Sequence, residues 1–352
     1  MSVYRFEQNP LITPKDVQPS MSDYEVLCVF NAGVIEYQGE VLLLMRVAER
    51  PVNPDPSENV LVPMLVEQTL KLEVTAFPVG APGIKLNDPR VVVFPDVLYL
   101  TSISHLRLAR SKDGINFTVD EKPILFPETA YERYGIEDPR ITQLDDTYYI
   151  VYKGVAPTGI TQCLASTKDF KTIERHGIIM PPENMDAMLF PEKINGRYAA
   201  LHRPQPKMIG SPNMWLAWSE DLIHWGDHEF LMGVSAGTWE GGRIGGGAVP
   251  FRVDEGWLEI YHAATLEDKY CLGAVLMDYE NPAKILRKST KPILAPEAEY
   301  EVVGFKDNVV FTCGALVKGD IVTIYYGAAD ECICAAQIGL SEIMDSMESI
   351  WN

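Results

Sequence analysis

One unit of sequence recurs along this chain: a strand, a turn rich in Gly, Asp or Asn, and a second strand rich in aromatic and aliphatic residues. Six copies occupy residues 32–46, 89–102, 139–152, 187–202, 247–263 and 314–328. Three copies are followed by a weaker strand whose turn contains Ser or Thr, a charged residue and Asp, at 105–117, 162–173 and 214–225. Helical periodicity is scarce between these units, so we predict an all-β protein.

Four-stranded repeats of roughly 50–60 residues are typical of a β-propeller, whereas a β-sandwich would not explain the recurring order. The pattern alone predicts five or six blades, because the first and last hairpins can share one blade. No linker rich in Pro, Gly or Ser divides the chain, so we predict a single domain over residues 1–352. It would carry an N-terminal extension over about 1–25 and a short C-terminal helix over about 341–352, with Ile343, Met347 and Ile350 on one side.

The net charge of −19 and the lack of a long basic block argue against nucleic acid or an anionic membrane as a partner. No apolar run approaches the roughly 20 residues of a membrane span, and the N-terminus lacks a leader pattern, so we expect a cytoplasmic protein. The six cysteines are scattered through apolar stretches. Cys332 and Cys334 share one strand face without a neighbouring histidine, so we expect no metal site.

Equivalent positions of successive propeller repeats converge on a central channel. The corners before the hairpins place there Asn31, Asp88, Asp138, Asp186, Arg243 and Thr312. The far ends of the second strands add Arg46, Lys153, His202, Arg203, Tyr261, His262 and Asp330. An Asp before a turn also caps its own backbone, and Arg commonly pairs with Asp, so each residue alone has a structural explanation. Matched polar positions in six repeats nevertheless favour a shared pocket.

Carboxylates and aromatic rings together suit a sugar, which offers hydroxyls to the former and C–H faces to the latter. The aromatic candidates are Trp215, Trp218, Trp239, Tyr261 and Tyr325. A glycoside hydrolase normally needs two carboxylates, whereas a phosphorylase needs one acid and enough cations to hold phosphate. Asp138 with the cluster Arg203, Arg243, Tyr261 and His262 fits the phosphorylase better.

Several motifs, in order, resemble glycoside hydrolase family 130 over roughly residues 25–340: GIEDPR at 135–140, LFPEKINGRYAALHRP at 189–204, RIGGGAVPF and GWLEIYHA within 243–263, and IYYGAAD at 324–330. The resemblance implies a five-bladed β-propeller, which decides between five and six blades. It also implies an inverting phosphorylase that cleaves β-mannosides with inorganic phosphate to give α-mannose 1-phosphate. We expect a β-1,2-linked mannobiose or oligomannoside in preference to a β-1,4-linked one, no organic cofactor, and a homo-oligomer.

The same resemblance assigns roles to individual residues. Asp138 would be the sole general acid, its proton passing through a mannose hydroxyl in at least some members. The phosphate cradle would comprise Asn184, Arg203, Arg243, Tyr261 and His262. Substrate contacts would come from Asn31, Arg46, Asp88, Lys153, Asp186 and Asp330, with Arg46 and Asp330 beside the mannose to be transferred.

One residue departs from the family's pattern, so two alternative functions stay open. Met185 stands where many members carry a basic residue that touches phosphate. A hydrolase on the same scaffold would need a second carboxylate, for which Glu240 and Asp186 are the candidates, and a non-catalytic sugar-binding propeller would need none. Phosphorolysis remains favoured because Arg203, Arg243 and His262 supply enough positive charge for a dianion.

The GIEDPR corner itself supports further expectations. Pro139 should keep Asp138 out of the helical region and aim its side chain into the channel. Arg140 should brace the corner. Burial, Glu137 and the incoming phosphate should each raise the pKa of Asp138, which must hold a proton to act as an acid.

Overall fold

The computed structural model describes residues 1–86, 88 and 90–350. Short runs of β-branched, aromatic and aliphatic residues between Gly, Asn and Asp turns form its strands. In chain order these are β1 Tyr4–Arg5, β2 Tyr24–Tyr37, β3 Glu40–Pro51, β4 Asn59–Leu65, β5 Leu72–Pro78, β6 Val91–Val93, β7 Leu98–Leu100, β8 Ile103–Ser111, β9 Thr118–Val119, β10 Gly135–Leu144, β11 Thr147–Ala156, β12 Gly159–Thr167 and β13 Glu174–Met180. They continue with β14 Asn184–Leu189, β15 Tyr198–Pro204, β16 Met214–Ser219, β17 Trp225–Met232, β18 Arg243–Gly245, β19 Phe251–Val253, β20 Gly256–Ala264, β21 Tyr270–Met277, β22 Ile285–Ser289, β23 Val310–Lys318, β24 Ile321–Ala328, β25 Cys332–Gly339 and β26 Met347–Ser349.

Helical structure within the described residues is limited to short pieces. Two 3-10 turns span Pro14–Asp16 and Ala130–Glu132, and two α-helices, α1 and α2, span Glu299–Val302 and Leu340–Asp345. None of these helices is long and apolar enough to cross a membrane. The prediction of an all-β protein is therefore confirmed.

Antiparallel pairing joins the strands into five successive runs. The first is β2-β3-β8-β9, the second β10 to β13, and the third β14 to β17. The fourth centres on β20, which pairs with β18, β19 and β21, and continues through β22 to β26; the fifth is β23-β24-β25-β1. Within the described residues, the first two runs share one sheet only through the parallel pair Gly135 and Ser104. Because β1 pairs with β25, the beginning and the end of the chain meet in the same sheet.

Apolar clusters fill the spaces between consecutive runs. Along β3, Leu42 and Leu44 pack toward the second run, whereas Leu43 and Met45 pack toward the fifth. Side chains alternate between the two faces of a strand, so the leading hairpin of a run supplies apolar residues to the runs on both sides of it. Three further interfaces of this kind join the second run to the third, the third to the fourth, and the fourth to the fifth. The packing is thus cyclic.

Five of the six predicted hairpins supply the leading strands of the five runs. The hairpin expected at 89–102 differs: β6 and β7 form a separate two-stranded ribbon, and residue 89 lies outside the described residues. The predicted C-terminal helix is also shorter than expected. Helix α2 ends at Asp345, and Met347 begins a strand that pairs with Ser289 and is buried between the fourth and fifth runs; residues 351 and 352 of the predicted helix lie outside the described residues.

Candidate active site

A repeated backbone irregularity places polar side chains in buried positions. The leading strands of the first three runs each shift register, between Phe30 and Gly33, between Glu137 and Arg140, and between Met185 and Met188. Within these bulges Asn31, Asp138 and Asp186 adopt left-handed backbone conformations, with φ of 49°, 45° and 55°. Asn and Asp tolerate this region better than other non-glycine residues, which explains these residue types at the corners.

Arg140 locks the central bulge. Its guanidinium donates to the carbonyl oxygen of Asp138 at 3.0 Å and to those of Gly246 and Gly247 at 2.8 and 3.2 Å. The expected bracing role of Arg140 is therefore present. Asp138 lies outside the right-handed helical region, as the following proline predicts, but in the left-handed region rather than in an extended one.

These corners open into a cavity of about 170 Å³. The volume lies below the roughly 300–1,000 Å³ of pockets for drug-sized ligands, so it suits a small polar group such as one sugar ring. Its described lining comprises the cations Arg46, Lys153, Arg203 and Arg243, the acids Glu137, Asp138 and Asp330, and Phe30, Asn31, Met185, Gln205, Tyr270, Val309 and Phe311. Four cations against three carboxylates make this a locally positive site in a strongly acidic protein.

The Asp138 carboxylate accepts hydrogen bonds from three strands. Lys153 Nζ donates to Oδ2 at 2.5 Å, while Arg46 Nη1 and Asn31 Nδ2 donate to Oδ1 at 3.2 and 3.0 Å. Burial favours the neutral acid, but the charges of Lys153, Arg46 and Arg140 outweigh burial. They hold the pKa of Asp138 below the ordinary aspartate range. The predicted rise of this pKa is wrong for this structure, because the cations of neighbouring strands lie closer than sequence spacing suggests.

Two other carboxylates of the cavity behave in the opposite way. Burial raises the pKa of Glu137, although Arg46 Nη2 lies 2.6 Å from its Oε1. Burial likewise raises the pKa of Asp330, against the attraction of Arg46 and Lys306. The carboxyl groups of this cavity are therefore differentiated by their neighbours, as is common where acids have distinct tasks.

Asp186 lies directly behind the cavity and is fully buried. Its Oδ2 accepts hydrogen bonds from Arg203 Nε at 2.7 Å and contacts Nη2 at 2.6 Å. Its Oδ1 lies 3.2 Å from Lys153 Nζ, and His262 Nε2 lies 3.3 Å from Oδ2. Burial opposes ionisation, but Arg203, Lys153 and His262 hold the pKa of Asp186 well below its ordinary value.

The two arginines predicted to bind phosphate both face the cavity. Arg203 also donates to Gln205 Oε1 at 2.6 Å and to Met185 Sδ at 3.3 Å. Arg243 donates to the Tyr270 hydroxyl at 2.7 Å and is ion-paired with Asp268. Both guanidinium groups are therefore held in place by protein partners.

Tyr261 and His262 do not form a pair at the cavity. Neighbouring residues of a strand point to opposite faces. The Tyr261 hydroxyl donates to Glu240 within the apolar interface of the third and fourth runs, away from the cavity. His262 points inward, but it lies beneath the lining with its ring centroid 4.3 Å from that of Phe311, and burial lowers its pKa to about 4.

Two further predicted residues lie elsewhere. Asn184 is hydrogen-bonded to His202 Nδ1 at 3.0 Å and lines a neighbouring cavity of about 300 Å³. Asp88 is held by the Arg90 guanidinium at 2.6 Å and is absent from the described lining. Neither contact places the side chain against the Asp138 carboxylate.

The aromatic residues expected to stack on a sugar also lie away from this cavity. Trp239 stacks on Tyr261, Tyr325 donates its hydroxyl hydrogen to the Gly114 carbonyl, and Trp215 lines the cavity beside Asn184. Trp218 is buried in the apolar interface of the third and fourth runs. The rings of the described lining are Phe30, Tyr270 and Phe311, which no motif singled out.

Both proposed second carboxylates for a hydrolase fail on geometry. Glu240 accepts from the Tyr261 hydroxyl and from Lys288 Nζ at 2.7 Å, in a region distinct from the cavity. Asp186 is enclosed by cations and is not part of the described lining. The sequence motifs did not assign three further lining residues to the cavity: Glu137, Gln205 and Tyr270. Their positions next to Asp138, near Arg203 and before Cys271 were visible in the strand pattern.

A larger cavity of about 390 Å³ lies near Tyr325, Lys112 and Lys318. Lys318 in its lining is ion-paired with Glu36. Asp113 caps its own turn by accepting hydrogen bonds from the N–H groups of Ile115 and Asn116. No buried charge faces it among the described lining residues. The smaller central cavity is therefore the better candidate for chemistry.

A buried acid in a small cavity lined by cations is suited to cleaving a glycosidic bond in the presence of an anion. Residues 81–349 match the family model for glycoside hydrolase family 130, described as β-1,4-mannooligosaccharide phosphorylase. The chain belongs to this family. The resemblance found in the sequence motifs is confirmed.

Individual relatives cover most of the chain. It is 47% identical over 352 residues to the β-1,2-mannobiose phosphorylase of Listeria innocua, covering 99% of each chain. It is 43% identical over 252 residues to a 1,2-β-oligomannan phosphorylase of Thermoanaerobacter, covering 71% of this chain and 83% of the relative. The solved complex of the Listeria innocua enzyme with β-1,2-mannobiose superposes with a TM-score of 0.94 over 98% of this chain and 99% of the other.

Proposed function

We propose that this protein is an inverting phosphorylase that cleaves β-1,2-linked mannobiose or a short oligomannoside with inorganic phosphate, releasing α-mannose 1-phosphate. The observation that carries the proposal is the grouping of Asp138 with Arg46, Lys153, Arg203 and Arg243 around one small cavity. Phosphate is already an anion, so it requires cations to hold it and no base to activate it.

The chemistry follows from that grouping. A phosphate oxygen attacks the anomeric carbon of the mannose, the bond from this carbon to the bridging oxygen breaks, and the bridging oxygen keeps the electron pair and takes the proton of Asp138. The proton passes directly or through a hydroxyl of the mannose. Attack opposite the leaving oxygen converts a β-linkage into an α-phosphate. Arg203 and Arg243, held by protein partners, would present their remaining N–H groups to phosphate.

The linkage preference is supported by the two relatives described above, both of which are named for 1,2-linked β-mannosides. The family description names a β-1,4 linkage, but it covers a broader group than these two enzymes. Identity of 47% over the whole chain is the more specific evidence, so we favour the 1,2-linkage.

The five runs would be the blades of a five-bladed propeller. Support comes from the apolar clusters, which join each run to the next and the fifth to the first. The cavity would then lie at one mouth of the central channel, where the leading strands of all blades converge.

The test is product analysis with β-1,2- and β-1,4-mannobiose, each with and without inorganic phosphate, followed by NMR of the anomeric proton. We expect α-mannose 1-phosphate from the 1,2-linked sugar only when phosphate is present. Free mannose formed at a phosphate-independent rate would instead indicate hydrolysis, with Asp330 as the carboxylate to examine because it lines the cavity. No turnover of either sugar would contradict the proposal.

A further inference from the structure

Lys153 lies between two buried carboxylates. Its Nζ is 2.5 Å from Oδ2 of Asp138 and 3.2 Å from Oδ1 of Asp186. That Oδ1 atom is buried and accepts no hydrogen bond within the described part of the chain. A buried acceptor in need of a donor therefore lies within 3.2 Å of the lysine that holds Asp138.

The second carboxylate is linked to the cavity by one arginine. Arg203 holds Oδ2 of Asp186 through Nε and Nη2, and the same guanidinium lines the cavity. An anion bound to the other N–H groups of Arg203 would draw this guanidinium into the cavity and weaken its contacts with Asp186. Arg140 Nη2, at 3.5 Å from Oδ1, is already committed to the Gly246 carbonyl. Lys153 is thus the cation best placed to replace what Asp186 loses.

The reaction requires such a change. In this structure Lys153 and Arg46 hold Asp138 as a carboxylate, whereas a general acid must carry a proton when the glycosidic bond breaks. Arg46 has other acceptors in Glu137 and Ser104, but its contact with Asp138 is long, at 3.2 Å. The short contact from Lys153 is therefore the main one that must open.

We propose that an anion bound at Arg203 moves the Lys153 ammonium from Asp138 to Asp186, so that Asp138 takes up a proton from solvent. Lys153 stays protonated throughout, and the only net change is the gain of one proton by Asp138. Lys153 and Asp186 are then positioning residues, which couple the binding of an anion at the phosphate site to the protonation of Asp138. This inference rests on the proposed function only in requiring an anion site at Arg203.

The other groups that face Asp138 do not provide the same switch. The groups that surround it are Arg46 of β3, Asn31 of β2, Glu137 and Arg140 of β10, Asp330 after β24 and Cys313 of β23. Burial raises the pKa of the Cys313 thiol to about 12, so the thiol stays neutral. Among these cations, Lys153 lies nearest to the unpartnered Oδ1 of Asp186, at 3.2 Å against 3.5 Å for Arg140.

Binding of sulfate, a dianion that does not titrate near neutral pH, tests the coupling without turnover. Calorimetry in buffers of different ionisation enthalpy, from pH 5 to 8, gives the protons taken up per anion bound. We expect wild type to take up protons and Asp138→Asn to take up none, because linkage requires anion and proton to favour each other's binding. Equal uptake in the two proteins, or no anion binding at all, would overturn the proposal.

Two variants and one control separate the coupling from simple charge removal. Asp186→Asn keeps the size of the side chain, and we expect it to bind sulfate, lose the proton uptake and lower kcat at least tenfold without raising the KM for phosphate. Lys153→Met should show little uptake because Asp138 would be protonated before the anion binds. Asp268→Asn removes the carboxylate partner of Arg243 and should retain the uptake. Uptake that persists in Asp186→Asn would also contradict the relay.

A separate assay for mannose 1-phosphate keeps this inference distinct from the proposed function. Proton uptake without turnover of any mannoside would support the relay and contradict the proposed substrate. Turnover of a mannoside together with equal proton uptake in wild type and Asp138→Asn would support the proposed substrate and contradict the relay.

Discussion

The Lys153 ammonium lies 2.5 Å from Oδ2 of Asp138, in the lining of a cavity to which all five β-sheet runs contribute residues. This contact determines the resting charge of the group that must donate a proton. It also shows why catalysis by a buried acid depends on neighbours contributed by other strands: Lys153 comes from β11 and Arg46 from β3. The predictions below test separate parts of this arrangement.

Asp138→Asn should reduce phosphorolysis of mannobiose by at least about 10²-fold, the lower range for loss of a general acid. The amide cannot deliver a proton to the leaving oxygen. The variant leaves Lys153 and Arg46 with one fewer counter-charge, so its melting temperature should fall while its far-ultraviolet circular dichroism stays native. Activity close to wild type in the folded variant would remove Asp138 from the mechanism.

Arg203→Lys should raise the KM for phosphate at least tenfold and leave the KM for mannobiose nearly unchanged. Lysine keeps the charge but cannot hold Asp186 through two N–H groups while presenting others to the cavity. Initial rates at varied phosphate, with mannobiose saturating, measure the effect. Arg197→Lys is the matched control, since Arg197 pairs with Asp227 on the exposed face of the same region. A similar rise in both variants would contradict a specific role for Arg203.

Glu240→Gln should leave the reaction products and the phosphate dependence unchanged. The carboxylate accepts from Tyr261 and Lys288 outside the cavity, so its loss affects packing rather than chemistry. Leaving Lys288 without its partner should cost about 1–3 kcal/mol in the free energy of unfolding, measured by urea denaturation. Loss of turnover in a folded Glu240→Gln protein would contradict this prediction and support Glu240 as a second catalytic carboxylate.

Sequence alone could locate the acid and most of its surroundings. The repeated hairpins predicted where the leading strands begin, and Asn31, Asp138 and Asp186 do lie at equivalent bulges. This worked because alternation and turn residues are local signals. The ribbon β6-β7 also carries those signals, but it lacks the outer strands that make a full run, so one predicted hairpin of six is not equivalent to the others.

Two expectations differ from the structure, for different physical reasons. The family resemblance places both Tyr261 and His262 in the phosphate cradle, although adjacent strand residues face opposite sides and only His262 points inward. The sequence predicts a raised pKa of Asp138 from burial, Glu137 and the incoming phosphate, whereas cations from other strands lower it. Alternation along β20 explains the first difference, and distances between strands, which no sequence motif encodes, explain the second.

Glu259 of β20 is fully buried. One of its oxygens, Oε1, accepts the Gly247 N–H at 2.9 Å, and Oε2 has no hydrogen-bond partner among the described residues. Burial raises the pKa of Glu259 to about 8, against the opposing effects of that hydrogen bond and of Arg140. The folded protein therefore keeps this proton at pH values where the unfolded chain has released it.

The sign of the effect follows from proton counting. Between the ordinary glutamate pKa of about 4.3 and the folded value, the unfolded chain binds fewer protons, so stability falls as pH rises. Glu259→Gln keeps the acceptor for Gly247 and cannot ionise, so it escapes this loss. We expect the free energy of unfolding of the variant, relative to wild type, to increase from pH 5 to pH 8 by several kcal/mol at most, at about 1.4 kcal/mol per pH unit. Urea denaturation of both proteins across this range measures it, and parallel curves would contradict a buried neutral Glu259.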